Sequence, residues 1–173
     1  MRFKADVDGF VNGVRFYKDA LNTGVHTGSL WSSTGKLLAT TTFANETASG
    51  WQNANFASPV PVTANTVYVI SYHTDAGHYA GDMNYFTASG VDNGILHALS
   101  GSAAGGNGVY QLGPSGFPSS VYHNNNYWVD VLFSTPATTP PVSIFCNAAR
   151  PSTIATAVQS IELGLKFKAG ADG

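Results

Sequence analysis

The stretch YHTDAGHYAGD at residues 72–82 gathers side chains that could do chemistry. Two imidazoles and a carboxylate, His73, His78 and Asp82, are ligand types of a zinc site. Their spacing fits no structural or helical zinc motif, so hydrogen-bonded loop histidines are the simpler expectation and no metal is assigned to them. DVDG at residues 6–9 places Asp6 and Asp8 two apart before a glycine, the start of an oxygen-rich turn that could hold calcium. The other ligands of a calcium loop do not follow, and an Asx-type turn between strands explains the pair as well. Calcium therefore stays open, and no other cofactor is indicated. Glu46 is the only glutamate before residue 162 and no nucleophile elbow occurs, so catalysis is not expected.

Aromatic side chains suggest a different chemistry. Trp31, Trp51, Tyr72, Tyr79, Tyr85, Phe86, Tyr110, Tyr122, Tyr127 and Trp128 exceed what a core of this size needs. Flat rings stack on the C–H faces of sugars while Asn and Asp take the hydroxyls. In YWVDVLF (127–133), alternation puts Tyr127, Val129, Val131 and Phe133 on one face and leaves Trp128 with Asp130 on the other. With His78, Tyr79, Asp82, Asn124, Asn125 and Asn126 as a polar rim, Trp128 and Asp130 make a candidate binding group, with polysaccharide as the candidate partner.

The elements that must hold these groups are strands. Helical periodicity is almost absent, and short alternating runs bounded by Gly, Asn, Pro and Ser recur about every ten residues. The pattern predicts an all-β fold, an antiparallel β-sandwich of jelly-roll-like type, with at most a single helical turn in its loops. FVNGVRFYK (10–18) sets Phe10, Val14 and Phe16 against Val11, Arg15 and Tyr17, and GSLWSSTGKLLATTTF (28–43) reads as a hairpin around Ser-Thr-Gly. The loop SGSAAGGNG (100–108) has no side chains suited to a core and is expected to be exposed and mobile.

After Phe133 the Pro/Thr run STPATTPP (134–141) reads as a linker, so residues 1–133 form the module body and 142–173 a separate segment. Within that segment Ile161, Leu163, Leu165 and Phe167 alternate with Glu162, Gly164, Lys166 and Lys168. Such an amphipathic strand has nothing of its own to pack on. It is expected to join a sandwich beside the strand of Val14 and Phe16, or at the edge begun by Phe3, with its four apolar side chains buried. The recipient is the same chain or a neighbouring copy, and donation to a neighbour builds a head-to-tail fibre. FKADVDG (3–9) and FKAGADG (167–173) agree at five of seven positions, so the segment ends on the peptide with which the chain opens.

Charged residues are only 10% of the 173 and the net charge is −2, with no Lys/Arg block, which excludes nucleic acid and anionic membrane as partners. No apolar run is long enough to span a bilayer, so no membrane insertion is expected. The lone Cys146 cannot form an internal disulfide and is read as a small hydrophobe. A surface solvated by Thr, Ser and Asn is usual in extracellular β proteins, and an extracellular or cell-surface location is the expectation.

The run VNGVRFYKDALNTGVHTGSLWSSTGKLLATTTFANETASGWQ, followed by TVYVISYHTDAGHYA, NGVYQLGPSGFPSS and NYWVDVLF, resembles the domain of unknown function 4082 family. The resemblance implies a secreted or cell-surface bacterial β-sandwich module, often in tandem repeats and beside immunoglobulin-like or glycan-active domains. The role it implies is adhesion, spacing or carbohydrate binding, with an accessory domain of a glycan-active enzyme as a weaker alternative. It brings no catalytic residues. SIFCNAARPSTIATAVQSIELGLKF (143–167) resembles the segment that usually opens such a module and stands here after the linker, as in a unit cut out of register or circularly permuted.

Overall fold

A computed structural model describes residues 3–136 and 140–166. In chain order its elements are β1 (Phe3–Ala5), β2 (Gly9–Lys18), β3 (His26–Ser32), β4 (Leu37–Thr42), β5 (Gly50–Val62), β6 (Tyr68–Thr74) and β7 (His78–Ala80). There follow β8 (Val91–Asn93), β9 (Leu96–Ala98), the single-turn helix α1 (Gly101–Ala104), β10 (Val109–Leu112), β11 (Ser120–Val121), β12 (Val129–Ser134), β13 (Ile154–Thr156) and β14 (Ile161–Lys166). All pairings are antiparallel. A six-stranded sheet, β11-β10-β14-β6-β3-β4, faces a three-stranded sheet, β12-β2-β5, and two small sheets, β1-β9-β8 and β13-β7, close the ends. The expected antiparallel β-sandwich is the fold that forms.

Its hairpin signal was local. Gly35 adopts φ +89°, Gly35 N donates to Ser32 O and Ser32 N to Lys36 O, so the tight turn joins β3 to β4 as read. Where the sheets meet, Phe16 of β2 stacks on Tyr72 of β6 with ring centres 4.3 Å apart, and Phe43 packs edge-on against Phe16 at 4.8 Å. β2 departs from simple alternation. A bulge between Val11 and Gly13 shifts its register on β5, so Val11 is buried with Val14 and Phe16 while Phe10 is exposed.

The loop at 100–108 is also different from the expectation of an exposed segment. Ser100 caps α1, Ala104 and Asn107 are fully buried, and Asn107 Nδ2 donates to Leu99 O at 2.7 Å. Small side chains there permit close approach to neighbouring backbone. Cys146 is exposed and unpaired instead of packing as a small hydrophobe.

Residues 140–166 are built into the same sandwich as the body. Phe133 and Val142 exchange two backbone hydrogen bonds, so the chain doubles back directly after the Pro/Thr run. β14 then lies between β6 and β10, paired with both, which is neither of the neighbours expected from sequence. Ile161 and Leu163 are buried. The Leu165 side chain and Phe167 fall outside the described part.

The alternate face of β14 is buried too. Phe117 packs on Trp31 and Pro118 sits over Gly164, where a Cβ would meet Pro118 Cγ at 2.6 Å. The 113–118 loop thus covers Glu162, which is fully buried and accepts hydrogen bonds from Ser71 and from Ser115 at 2.8 Å. His73 Nδ1 is 3.5 Å from its Oε2. Burial raises the Glu162 pKa to about 7, against the hydrogen bonds of Ser71, Ser115 and the Gly116 backbone, which lower it.

A folded pKa above the unfolded one means stability fully present below about pH 4.5 and lost as pH rises towards 7. The contribution is about 3 kcal/mol. Glu162→Gln is therefore expected to match the parent near pH 4.5 and to exceed its melting temperature at pH 8. Thermal melts across that range test it, and parallel curves for the two proteins contradict it.

Candidate functional site

Trp128, Asp82 and Asn126 come together in a buried hydrogen-bonded group, and the other candidate residues take separate structural places. Trp128 lies one residue before β12 with φ +49°, a left-handed conformation uncommon for a bulky residue, and its N–H is held by Asn126 Oδ1 at 2.9 Å. Its ring is buried among Tyr17, Trp51, Tyr85 and Phe145, and its Nε1 donates to Asp82 Oδ2 at 3.1 Å. Asp130 is fully buried. The expectation that Trp128 and Asp130 face a ligand is thus corrected: residues 142–150 fold over that side of β12, so both faces of the strand are interior.

What Asp130 does instead is clear from its donors. Arg15 Nε and Nη2 approach Oδ2 at 3.1 and 3.0 Å, and Phe145 N donates to the same oxygen at 2.8 Å. Oδ1 accepts from Val131 N at 2.7 Å and Ile144 N at 3.0 Å. Arg15 continues to Asn147 Oδ1 at 2.7 Å and to Phe145 O, while its guanidinium lies 4.1 Å from the Trp51 ring centre. Burial pushes the Asp130 pKa up, and Arg15 and the three backbone N–H groups oppose it. This is a latch joining β2, β12 and the C-terminal segment, a role for Arg15 that sequence reading missed.

Asp82 has a similar structural task. Its Oδ1 accepts from Ser152 N at 2.8 Å, Thr153 N at 3.1 Å and the Ser152 hydroxyl. Asn126 is buried and bridges to Asp82 through paired backbone hydrogen bonds, and Asn125 Oδ1 accepts from Asn84 N at 3.1 Å. Asn124, at φ +50°, accepts from Asn107 N. His78 Nδ1 lies 3.0 Å from Thr156 Oγ1, and His73 Nε2 lies 3.1 Å from Asp75. Asp6 pairs with His97 at 2.8 Å, whereas Asp8 accepts from Ala64 N at 2.6 Å. Among the described residues no three His, Cys, Asp or Glu side chains converge in a way that could hold a metal.

Of the predicted group, Tyr79 and Asn125 line surface hollows. Tyr79 lines an open hollow of about 280 Å³ with Tyr110, Tyr122, Tyr127, Val158 and Ile161. Tyr79 and Tyr110 each set an edge against Tyr127, at 5.8 and 6.4 Å between centres. Burial raises the pKa of both Tyr79 and Tyr127, with the neighbouring tyrosines adding to it, so these phenols stay protonated donors at neutral pH. A second hollow of about 480 Å³ shares Tyr79 and Tyr122 and adds Met83, Asn125, Ser152 and Thr153. The two hollows adjoin at Tyr79 and Tyr122, and both are lined mainly by apolar surface, with Asn125, Ser152 and Thr153 supplying polar groups in the second. Tyr110, Tyr122 and Tyr127 stood in the aromatic surplus, but nothing local in sequence joins β10, the loop after β11 and the residue before Trp128.

A family model described as a domain of unknown function (DUF4082) matches residues 1–129, well over half of the chain. The chain belongs to the DUF4082 family. No curated protein and no solved structure matches it. In this DUF4082 chain the match stops immediately before Asp130, so the latch carboxylate and β14 both lie beyond it. Three of the four groove tyrosines, Tyr79, Tyr110 and Tyr122, project from the matched portion on separate elements, and Tyr127 follows within it. Among the described residues no helix is long and apolar enough to cross a membrane.

Proposed function

We propose that this is a non-catalytic extracellular module of a bacterial surface or secreted protein, serving attachment or spacing, and that it binds glycan chains in the tyrosine groove. The observation that carries the reading is the sharing of Tyr79 and Tyr122 by two adjoining hollows. Flat phenols offer stacking faces, and Asn125, Ser152 and Thr153 offer the hydrogen-bonding groups that sugar hydroxyls require. Two adjoining hollows that share Tyr79 and Tyr122 suit a chain of sugars better than a single ring. The non-catalytic part rests on how the buried acids are used. Asp130 holds Arg15, Asp82 holds the 152–153 backbone, Glu162 takes two serines, and Glu46 is bonded to Lys18 at 2.7 Å and His26 at 2.8 Å. A paired-carboxylate hydrolase needs two acids free to face one bond.

A glycan array followed by titration of any positive polysaccharide tests the reading. Tyr122 is 52% exposed, so Tyr122→Ala should leave the fold intact and weaken binding about tenfold, or about 1.4 kcal/mol. Trp128→Ala should act only through stability. Binding that Tyr122→Ala leaves unchanged, or an array with no positive glycan, removes the glycan part and favours a spacer. A second reading, a structural subunit that passes its C-terminal strand to a neighbour, is favoured by the central place of β14. Concentration-dependent oligomers in sedimentation would support it.

A further inference from the structure

The first hollow has a lining that selects among sugars. Beside its four tyrosines it is aliphatic, with Leu112, Ala157, Val158 and Ile161. Val158 is 98% exposed and Leu112 44%, so these two offer apolar surface to solvent and not to the core. Among the described residues no charged side chain lines either hollow. Four ionisable residues stand next to lining residues in the chain, and none of them lines a hollow itself. His78 is bonded to Thr156, Asp82 to the Ser152 and Thr153 amides, and Glu162 to Ser71 and Ser115. His123 sets its ring against Tyr122, with centres 4.2 Å apart. A charged sugar substituent entering the first hollow would give up water and gain no counter-charge.

The polar capacity of this hollow is that of donors. Tyr127 is only 3% exposed and lines it, and Asn125 hydrogen-bonds its hydroxyl. That bond lowers the phenol's pKa, so Asn125 is the donor and the Tyr127 proton is left to give. A group that fits must be uncharged, must present an acceptor to a phenol, and must carry an apolar end for Leu112 and Val158. A sugar hydroxyl fails the last condition, because against aliphatic side chains it loses its bonds to water. The methyl of a deoxy sugar fails the second. The acetamido group of an N-acetylated amino sugar meets all three, with a carbonyl that accepts and a methyl that is apolar.

We propose that the bound glycan is built from N-acetylated amino sugars and that the hollow lined by Tyr127, Leu112 and Val158 receives an acetamido group. The inference rests on the glycan reading above and narrows it to a substrate class. Size agrees with it. Ligand pockets run from about 300 to about 1,000 Å³, and this hollow of about 280 Å³ takes one sugar with its substituent. The ring hydroxyls of the adjoining sugar then meet Asn125, Ser152 and Thr153 in the second hollow.

Titration of the full-length chain with tetra-N-acetylchitotetraose and with cellotetraose tests the assignment. The two neutral oligomers share their linkage and differ only in carrying an acetamido group or a hydroxyl at carbon two. The N-acetylated oligomer should bind about tenfold more tightly, the scale on which an apolar pocket reads a missing apolar group. Val158→Ser should leave the melting temperature unchanged, remove most of that preference, and leave cellotetraose affinity as it was. Tyr122→Ala should weaken both oligomers alike.

Equal affinities for the two oligomers, or a preference that Val158→Ser leaves untouched, would overturn the acetamido assignment while the glycan reading stands. Where neither oligomer binds, the glycan array decides. Hits confined to acetamido-bearing glycans support the assignment, and hits on glycans without that group overturn it. An array with no positive glycan removes both readings together.

Discussion

A chain truncated after Phe133 is expected to be unfolded at room temperature, with no cooperative melt and no strand signal in far-ultraviolet circular dichroism. The loss is large because several terms fall together. Ile144, Phe145, Ile161 and Leu163 are all buried, and removing them forfeits about 6–12 kcal/mol at about 1.5–3 kcal/mol each. A domain's entire net stability is about 5–15 kcal/mol. The facing edges of β6 and β10 also lose the strand that pairs with both. Asp130 loses the Ile144 and Phe145 N–H groups. A folded, monomeric product with an unchanged melt would mean that β14 is dispensable.

Asp130→Ala should be the most damaging single substitution, costing about 3–5 kcal/mol in urea unfolding. The cost arises less from the lost ion pair than from what remains. Arg15 stays buried without its counter-charge, and three backbone N–H groups lose their acceptor. Asp130→Ala combined with Arg15→Met should recover part of the loss, since the double variant leaves no orphaned charge. The orphaned amides keep the recovery incomplete. Equal stability of the Asp130→Ala variant and the parent would show that the 142–150 segment is held by Phe145 packing alone.

Sequence was a good guide wherever structure is locally determined. The β3–β4 hairpin follows from a glycine whose φ the turn demands, and the alternation of Ile161 and Leu163 identifies a strand with a core face. What it could not supply was the partner. Two-residue periodicity specifies which side chains share a face, but not whether the opposite face is covered by a distant segment. Asp130 and Glu162 both stand at positions that alternation assigns to the outside. Each is buried because another part of the chain, 142–150 in one case and the 113–118 loop in the other, lies across it. Trp128 failed for another reason, since its left-handed backbone breaks the period just before the strand starts. The tyrosine groove was legible only as an excess of aromatics, because β7, β10 and the 122–127 loop meet through long-range pairing.

The central place of β14 also governs when this protein can begin to fold. Chain order and spatial order disagree there: the last described strand to leave the ribosome fills the middle of a sheet whose other members are already made. Synthesis proceeds at about 5–20 residues per second, so β6 waits on the order of ten seconds for its neighbour. During that interval an apolar sheet edge stays open to solvent and to other nascent chains. The pairs β2–β5, β3–β4 and β3–β6 need nothing made later, whereas the joining of β6 to β10 waits for β14 and is the late step of assembly.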